Sequence, residues 1–435
     1  VLRAARAWAD LKKAEEFGLH IPAGVTYDFG AAMARMRKLR AKISRNDSAQ
    51  RYQSLGVDVF IGNAKFAGTD TVAVEGPAGN RTLQFVKAAI CTGARAAAPP
   101  IPGLQDAGYL TNETVFSLTE LPQRFGVIGA GPVGCELAQA FARFGSRVCL
   151  IEAQHGILPK EDRDAAQIVE QQLVKDGVQV LCCGTGLRVS KADGGKRLTV
   201  DSHGRLHDVT VDEILVGVGR APNVEGLGLE TVGVEFDRNG VKVDGRLQTS
   251  NPRIFAAGDV CSRYKFTHAA DAMAQIVIQN ALFPHPFGLG YAGVDSLIMP
   301  WCTFTEPEVA HVGMYEQDAK EQGIGVETYT FKLDEVDRAI LDGEDEGFAR
   351  IHVQKGSDKI LGATIVAAHA GEMISEFSVL MKAGLGAKAL AATIHPYPTQ
   401  AEANRKVVNL WRKADRKSTR LNSSHVSESR MPSSA

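Results

Sequence analysis

A glycine-rich turn, followed some twenty residues later by an acid, is the part of the sequence best suited to chemistry. It lies in "FGVIGAGPVGCELAQAFARFGSRVCLIE", which starts at Phe125, between an apolar run and a helical pattern. Gly129 permits a tight turn, Gly131 lets backbone N–H groups approach a pyrophosphate, and Gly134 allows helix and strand to pack closely. The pattern predicts a dinucleotide site at the positive end of the helix. The expected contacts are Gly129, Ala130, Gly131, Pro132, Val133, Gly134 and Cys135.

Two acids accompany this turn. Glu152 ends the second apolar run, "RVCLIE", where an acid accepts hydrogen bonds from ribose hydroxyls. Because an acid repels a 2′-phosphate, the sequence favours NADH, with NADPH as the alternative. Glu136 falls on the first turn of the helix, where either the helix dipole or a functional partner explains an acid.

The composition is that of a globular chain with more than one domain. The chain has 435 residues, 44% of them hydrophobic and 23% charged, with a net charge of -1. This length predicts two or three domains. The charge balance argues against a nucleic-acid partner, and we find neither a membrane-spanning apolar run nor a signal peptide. We therefore expect a cytoplasmic protein without nucleic-acid or membrane partners.

Seven cysteines are scattered along the chain and form no pattern of CxxC pairs. Their number and distribution favour reduced thiols in a cytosol. Cys182 and Cys183 are adjacent in "VQVLCCG", which suggests either a metal-binding or redox pair or a buried strand. The apolar run favours the strand, in which neighbouring side chains point to opposite faces.

The order of the elements predicts an α/β fold. Helical patterns occupy about the first 45 residues, followed by the strand-like runs "VDVFIG", "TVAVEG" and "LQFVKAAICTG". A strand–helix series then begins at Phe125. From about Pro300 to Arg412, antiparallel-type strands precede two helices, an α+β pattern.

Three apolar strands outside the glycine-rich turn are stopped by glycine. "AAICTG" ends at Thr92 and Gly93, "ILVGVG" ends at Gly219, and "RIFAAGDV" contains Gly258 and Asp259. Such endings bring backbone close to a ligand at the carboxyl edge of a sheet. Asp259 would be a hydrogen-bond acceptor there, suited to a flavin's ribityl or ribose hydroxyls.

With these segments the chain resembles the FAD-dependent pyridine nucleotide–disulfide oxidoreductases (class I) over about residues 1–413. "CTFTEPEVAHVGMYEQDA" and "ILGATIVAAHAGEMI" resemble the family's dimerisation domain, and within the family the chain is most similar to mercuric reductase-like flavoproteins. The resemblance implies two Rossmann-type dinucleotide-binding domains, for FAD and NAD(P)H, plus an α+β C-terminal dimerisation domain that forms a homodimer. The implied boundaries are an FAD domain at 1–120 and 244–299, an NAD(P)-binding domain at 121–243 and a dimerisation domain at 300–413.

The same resemblance carries expectations about the two ends. In the family, a first strand with its own GxGxxG and a CxxxxC redox pair precede the helix in which this chain starts. A lysine that pairs with the residue matching Glu136 also precedes that helix. None of the seven cysteines has CxxxxC spacing. We therefore expect that the FAD domain is N-terminally truncated and that the 435-residue chain has no reductase activity. Residues 414–435 are serine-rich and are expected to be a disordered or artefactual tail.

The resemblance also bears on the identity of the electron acceptor. Disulfide reductases of the family carry His-Pro-Thr-x-x-Glu with the histidine as base, whereas this chain has Tyr397 at that position and retains Glu402; His395 lies two residues too early. A phenol is a poor base at neutral pH. Mercuric reductases similarly place a tyrosine there, and thiolate-bound Hg(II) needs no base. The alternative is that Tyr397 merely packs at a proline-fixed turn.

The resemblance implies a flavoprotein that passes electrons from NAD(P)H through FAD and a disulfide to a small-molecule or metal-ion acceptor, Hg(II) being favoured. His268 matches a position that approaches the flavin pyrimidine edge, and a capping or surface histidine is the alternative, which explains it nearly as well. Two alternatives stay open. One is a dihydrolipoyl dehydrogenase-like reductase with another acceptor, and the other is a non-catalytic NAD-binding or dimer-forming chain.

Overall fold

The computed structural model describes the backbone of residues 1–428 and the side chains of residues 1–415. Within this part of the chain, no helix has the length and apolar character needed to cross a membrane. Three units are distinguishable, which we call the first, second and third domains in the order in which they begin.

The first domain starts with helices and a small antiparallel sheet. Asp28 caps α2 by accepting a hydrogen bond from the Ala31 N–H at 2.8 Å. "VDVFIG" was predicted as a strand, but residues 57–62 are irregular and largely exposed, and the first strand begins only at Asn63. The elements are α1 Leu2–Lys12, α2 Phe29–Ile43, α3 Ala49–Ser54, β1 Asn63–Gly68, β2 Thr71–Glu75, β3 Arg81–Gln84, β4 Ala88–Ile90, β5 Ala94–Ala96 and α4 Leu104–Ala107.

The second domain is a parallel sheet with an antiparallel flap. Its elements are β6 Arg124–Ile128, α5 Pro132–Phe144, β7 Arg147–Ile151, α6 Arg163–Lys175, β8 Val178–Leu181, β9 Gly184–Ala192, β10 Gly195–Ser202, β11 Arg205–Val211 and β12 Glu213–Val216. The parallel strands lie in the order β12-β6-β7-β8, and β9 to β11 form a separate sheet. The central strands β6 and β7 are apolar and buried on both faces, as expected of a covered parallel sheet.

The chain then returns to the first domain. The new elements are β13 Arg220–Pro222, β14 Phe236–Asp237, β15 Gly240–Val241, β16 Ile254–Ala256 and α7 Thr267–Leu282. β13 pairs with β5 and β16 pairs with β4. Val224, Leu229 and Val241 share one apolar core with Ile90 and Ile254. The second domain therefore ends near residue 217, earlier than the predicted 243, because residues 220–243 bury their apolar side chains against the first domain.

The third domain is an antiparallel sheet covered by helices. The sheet order is β17-β18-β21-β20-β19. The elements are β17 Pro300–Thr303, β18 Glu308–Gly313, α8 Glu316–Glu321, β19 Val326–Lys332, α9 Asp337–Asp342, β20 Phe348–Gln354, β21 Ile360–Ala367, α10 Ala370–Lys382, α11 Ala387–Ala392 and α12 Glu402–Glu428. α12 runs past residue 413, where we expected the tail to begin, because no Gly or Pro interrupts the sequence up to Glu428. The rest of the predicted tail, residues 429–435, lies outside the described residues.

Candidate functional site

The glycine-rich turn joins β6 to α5, and its geometry explains each glycine. Gly129 has a φ of 99°, and a Cβ there would lie 2.7 Å from the Gly217 carbonyl oxygen. A Cβ on Gly134 would lie 1.9 Å from the Gly129 carbonyl oxygen, so only glycine allows this approach of helix and strand. A Cβ on Gly131 would meet no atom within 4 Å. The open space beside Gly131, at the helix N-terminus, fits the pyrophosphate of a dinucleotide.

Within the same turn, Pro132 occupies the first helical position, where its missing N–H costs no hydrogen bond. Val133 is exposed, whereas Cys135 is fully buried with its Sγ 3.3 Å from the Ala130 carbonyl oxygen. Burial raises the pKa of the Cys135 thiol well above its usual range. Cys135 is therefore a packing residue whose side chain does not face a ligand.

Glu152 lies at the end of β7 with its side chain turned back toward the turn. One carboxylate oxygen accepts the Ala130 N–H at 2.8 Å and the other accepts the Gln154 N–H at 2.9 Å. The residue is only 9% exposed. Since each carboxylate oxygen has two lone pairs, both can still accept a hydroxyl. The acid is thus held beside the glycine-rich turn, in a position that fits a ribose.

Glu136 has a partner from the third domain. Its Oε1 accepts the Phe304 N–H at 2.9 Å. Burial raises the pKa of Glu136 to about 7, and the nearby Glu308 carboxylate raises it further while the Phe304 N–H opposes both. The side chain borders a cavity of about 240 Å³ that Leu2 and Arg6 of α1 also line. The hydrogen bond joins α5 of the second domain to the segment between β17 and β18 of the third.

The three glycine-stopped strands meet where the first and second domains join. The Thr92 hydroxyl donates to the Asn223 carbonyl oxygen at 2.7 Å, and the Asn223 N–H donates to the Gly93 carbonyl oxygen at 2.9 Å. Gly93 and Gly219 have positive φ angles of 68° and 123°, and neither would place a Cβ within 4 Å of another atom. Their open surfaces fit the close passage of a flavin nucleotide.

Asp259 follows β16 and forms an ion pair. Arg220 Nε donates to its Oδ2 at 2.9 Å, and its backbone carbonyl accepts from Lys265 Nζ at 2.7 Å. Gly258, with a φ of 79°, makes the turn that presents the acid. Arg220 thus fixes the carboxylate, and the remaining lone pairs fit the hydroxyl groups of a flavin's ribityl chain or ribose.

His268 lies on the first turn of α7. Its Nε2 is 2.8 Å from the Pro300 carbonyl oxygen, and its ring stacks on Phe266 with a centroid distance of 5.2 Å. This hydrogen bond ties α7 of the first domain to β17 of the third. The histidine therefore holds two domains together beside the Asp259 segment.

Tyr397 and Glu402 have different hydrogen-bond and ion-pair partners. The Tyr397 hydroxyl donates to Asp337 Oδ2 at 2.6 Å, and the residue is 69% exposed. The hydrogen bond to Asp337 raises the pKa of the phenol. Glu402 is buried, with its carboxylate 3.3 Å from Arg405 and 3.9 Å from Lys406.

Two arrangements were missed by sequence reasoning. His395 Nε2 is 2.8 Å from Glu376 Oε1, a histidine–carboxylate pair that the sequence hides because Glu376 lies on α10, 19 residues away. The prediction that Cys182 and Cys183 lie in a buried strand was wrong. β8 ends at Leu181, and both cysteines are partly exposed in the turn that follows.

Residues 12–274 match the pyridine nucleotide-disulphide oxidoreductase family, and residues 299–408 match the family's dimerisation domain. A mercuric reductase of Lysinibacillus sphaericus is 34% identical over 386 residues, 88% of this chain and 69% of that protein. A dihydrolipoyl dehydrogenase of Geobacillus stearothermophilus is 31% identical over 407 residues, 92% of this chain and 84% of that protein. The HOCl-induced flavoprotein disulfide reductase RclA from Escherichia coli aligns with a TM-score of 0.80 at 28% identity, covering 94% of this chain and 89% of that one.

The chain spans between 60% and 69% of the length of three mercuric reductases that it matches. The comparisons confirm the predicted α/β fold with a C-terminal dimerisation domain. The sequence resemblance and the family match therefore agree over the dinucleotide-binding and dimerisation segments.

Proposed function

This chain belongs to the pyridine nucleotide-disulphide oxidoreductase family, and from that membership we propose a flavoprotein that passes electrons from NADH through FAD to Hg(II). Members of the family bind FAD and NAD(P)H. The observation that carries the proposal is the carboxylate of Glu152, held at the glycine-rich turn. It supports NADH over NADPH, because a 2′-phosphate beside this buried acid would be repelled.

The residues around the turn bind and orient the dinucleotide. Backbone N–H groups at the start of α5 would hold the pyrophosphate, and Glu152 would accept hydrogen bonds from the ribose hydroxyls. Thr92, Gly93, Gly219 and Asp259 line the surface on which FAD would lie. When bound, the two cofactors would supply the hydride-transfer chemistry.

Tyr397 supports a metal-ion acceptor. Its phenol donates to Asp337, and the resulting rise in pKa keeps it protonated at neutral pH, so it is unsuited to the role of a base. Reduction of Hg(II) needs two electrons and no base: NADH + Hg²⁺ gives NAD⁺ + Hg⁰ + H⁺. A soft ion such as Hg(II) is held by thiolates. The 34% identity to a mercuric reductase agrees with this acceptor.

A second candidate function rests on the His395–Glu376 pair. A carboxylate orients an imidazole for general-base work, which is the chemistry that dithiol–disulfide exchange requires. This pair favours a dihydrolipoyl dehydrogenase-like reductase, and a dihydrolipoyl dehydrogenase is among the relatives. The two candidates share the nucleotide sites and differ in the acceptor.

We also propose that two copies pair through the dimerisation domain in the cytoplasm. Val379, Leu385, Ile394 and Tyr397 are large side chains of this domain that are exposed in the single chain. Large exposed side chains on a domain that matches a dimerisation domain support an interface there. The seven free thiols support a reducing compartment.

Nucleotide binding by the 435-residue chain tests the first part. We expect NADH, titrated by its fluorescence, to bind more tightly than NADPH. Glu152→Ala should weaken NADH binding about 10-fold or more and reduce the preference over NADPH, since it removes the ribose acceptor. Glu230→Ala, at an exposed glutamate on another turn, is the matched control. Equal affinities of NADH and NADPH for the unaltered chain would contradict the assignment of Glu152.

The acceptor is tested with the complete product of the encoding gene. NADH oxidation that depends on FAD and Hg(II), without turnover of oxidised lipoamide, supports the proposal. Turnover of lipoamide that is lost in His395→Asn would overturn it in favour of the second candidate. Turnover of neither acceptor by a product that binds NADH would favour the non-catalytic alternative.

A further inference from the structure

A cluster of thiol and imidazole groups lies at the outer edge of the second domain, beyond the ends of β7 and β8. Cys182 Sγ is 3.2 Å from His203 Nε2, and Cys183 Sγ is 3.4 Å from His155 Nδ1. The rings of the two histidines are 6.4 Å apart and perpendicular. No residue of this cluster takes part in the site described above.

Three separate segments deliver these side chains. The cysteines follow β8, His155 lies in the segment after β7, and His203 occupies the tight turn between β10 and β11. Hydrogen bonds join the segments: the Cys183 N–H donates to the Gln154 carbonyl oxygen at 2.9 Å, and the Ser202 hydroxyl donates to the Cys182 carbonyl oxygen at 2.6 Å. These hydrogen bonds therefore hold the two cysteines and two histidines close together.

The backbone at two of these residues is unusual. Cys183 and His203 both have a φ of 54°, in the left-handed region that favours glycine. For other residues this conformation costs about 1 kcal/mol or more, and such strain concentrates at functional sites. Here it turns the Cys183 and His203 side chains toward their neighbours.

The spacing matches that of a tetrahedral metal centre. The ligand atoms of Cys182, Cys183 and His203 all lie within 4.8 Å of one another. Zinc bonds of about 2.3 Å to sulfur and about 2.0 Å to nitrogen separate tetrahedral ligand atoms by about 3.3–3.8 Å. A small rotation of these three side chains therefore suffices to bring their ligand atoms onto one ion. Two sulfur atoms and imidazole nitrogen select a thiophilic ion over Mg²⁺ or Ca²⁺.

We propose that Cys182, Cys183 and His203 bind a thiophilic d¹⁰ cation of the Zn²⁺ type. His155, whose Nδ1 is 3.4 Å from Cys183 Sγ but which lies outside this group of three, would move to become the fourth ligand. Binding releases one proton from each thiol, so that two thiols and M²⁺ give a dithiolate complex and two H⁺. The histidines coordinate in their neutral form. The site lies on the side of the nucleotide-binding domain that carries Glu152, and it is separate from the proposed electron path.

Zinc titration of the reduced, full chain in competition with a chromophoric chelator tests this proposal. We expect one high-affinity equivalent, weakened about 100-fold by Cys182→Ser or Cys183→Ser and about 10-fold or more by His203→Ala. Two controls, Cys91→Ser at an exposed thiol and His207→Ala on β11, should bind Zn²⁺ within twofold of the unaltered chain (about RT ln 2). Binding that is insensitive to the Cys182 and Cys183 variants, or equally sensitive to both controls, would overturn the site.

Cobalt substitution gives a second readout that does not depend on affinity. Co²⁺ bound by two thiolates shows intense sulfur-to-metal charge-transfer absorption and tetrahedral ligand-field bands. We expect both in the unaltered chain and neither in the Cys182→Ser/Cys183→Ser double variant, whose folding is checked by its circular dichroism. A Co²⁺ spectrum without thiolate bands, or a Cys182–Cys183 disulfide that persists under reducing conditions, would overturn the proposal.

Discussion

The glycine-rich turn and the turn that carries Tyr397 are both predicted sites, yet they are built in different ways. In residues 125–152 the acid, the turn and the helix N-terminus are close in sequence, and the Glu152 carboxylate bonds to the Ala130 N–H within that stretch. In residues 393–402 the partners come from elsewhere: Asp337 binds Tyr397, and Glu376 binds His395. A site formed within one βαβ unit is set by local sequence, whereas the geometry of this exposed turn depends on partners that are distant in sequence.

The largest effect is expected from Gly134, where the glycine-rich turn is tightest. Gly134→Ala would place a Cβ 1.9 Å from the Gly129 carbonyl oxygen, so β6 and α5 must separate. We expect a loss of about 3 kcal/mol in the free energy of unfolding, because backbone rather than a flexible side chain blocks the methyl group. NADH binding should fall at least 100-fold, about 2.7 kcal/mol, because the N-terminus of α5 moves. Thermal unfolding and fluorescence titration measure the two effects.

Gly131→Ala is the matched control for Gly134→Ala. Its methyl group would meet no protein atom within 4 Å, so the free energy of unfolding should change by less than about 0.5 kcal/mol. NADH binding should still weaken, because the methyl group fills the space beside the pyrophosphate. A Gly134→Ala variant as stable as Gly131→Ala would show that the turn is looser than its geometry indicates.

The same contrast explains what the sequence could predict. The segment from Gly129 to Glu152 could be predicted because its residues are close together in the sequence. Each glycine meets a conformational need, and the acid meets a chemical one. The partners of Glu136 and His395 lie 168 and 19 residues away, and no local pattern indicates which carboxylate or N–H will face them. The apolar run before Cys182 and Cys183 was mistaken for a longer strand.

The C-terminal limit of the second domain was also not predictable from local sequence. Residues 220–243 read as a continuation of the second domain because they follow its last strand directly. Instead, β13 pairs with β5, while β14 and β15 pair with each other. The apolar side chains of the segment fill the core around Ile90 and Ile254. Long-range strand pairing decides which of two adjacent domains such a segment joins. A single sequence contains no local signal for this pairing.

An effect of intermediate size on stability is expected from Glu136, which follows the glycine-rich turn and contacts the third domain through Phe304. Its pKa is about 7 in the folded chain against 4.5 for a free glutamate, so the folded state binds more protons between these values. Stability should therefore fall as pH rises from about 4.5 through 7. Glu136→Gln should abolish this fall and be more stable above pH 7 by roughly 2 kcal/mol, less than the full shift because the side chain is partly exposed.

Denaturant unfolding of both proteins between pH 4.5 and 8 measures this difference. Glu230→Gln, at an exposed acid, should follow the unaltered chain at every pH. If Glu136→Gln also parallels the unaltered chain, the Phe304 N–H compensates the burial of the carboxylate fully. The pKa of Glu136 in the folded chain would then equal that of a free glutamate.

The smallest effect is expected from Tyr397, and its neighbour provides the comparison. Tyr397→Phe removes one hydrogen bond between exposed side chains and should change the free energy of unfolding by less than about 0.5 kcal/mol. His395→Asn breaks the partly buried contact with Glu376 and should cost about 1–2 kcal/mol. Chemical denaturation measures both. If the proposed second copy covers Tyr397, the loss for Tyr397→Phe should be larger than this and should grow with protein concentration. That result would place a partner of the exposed turn in the other copy.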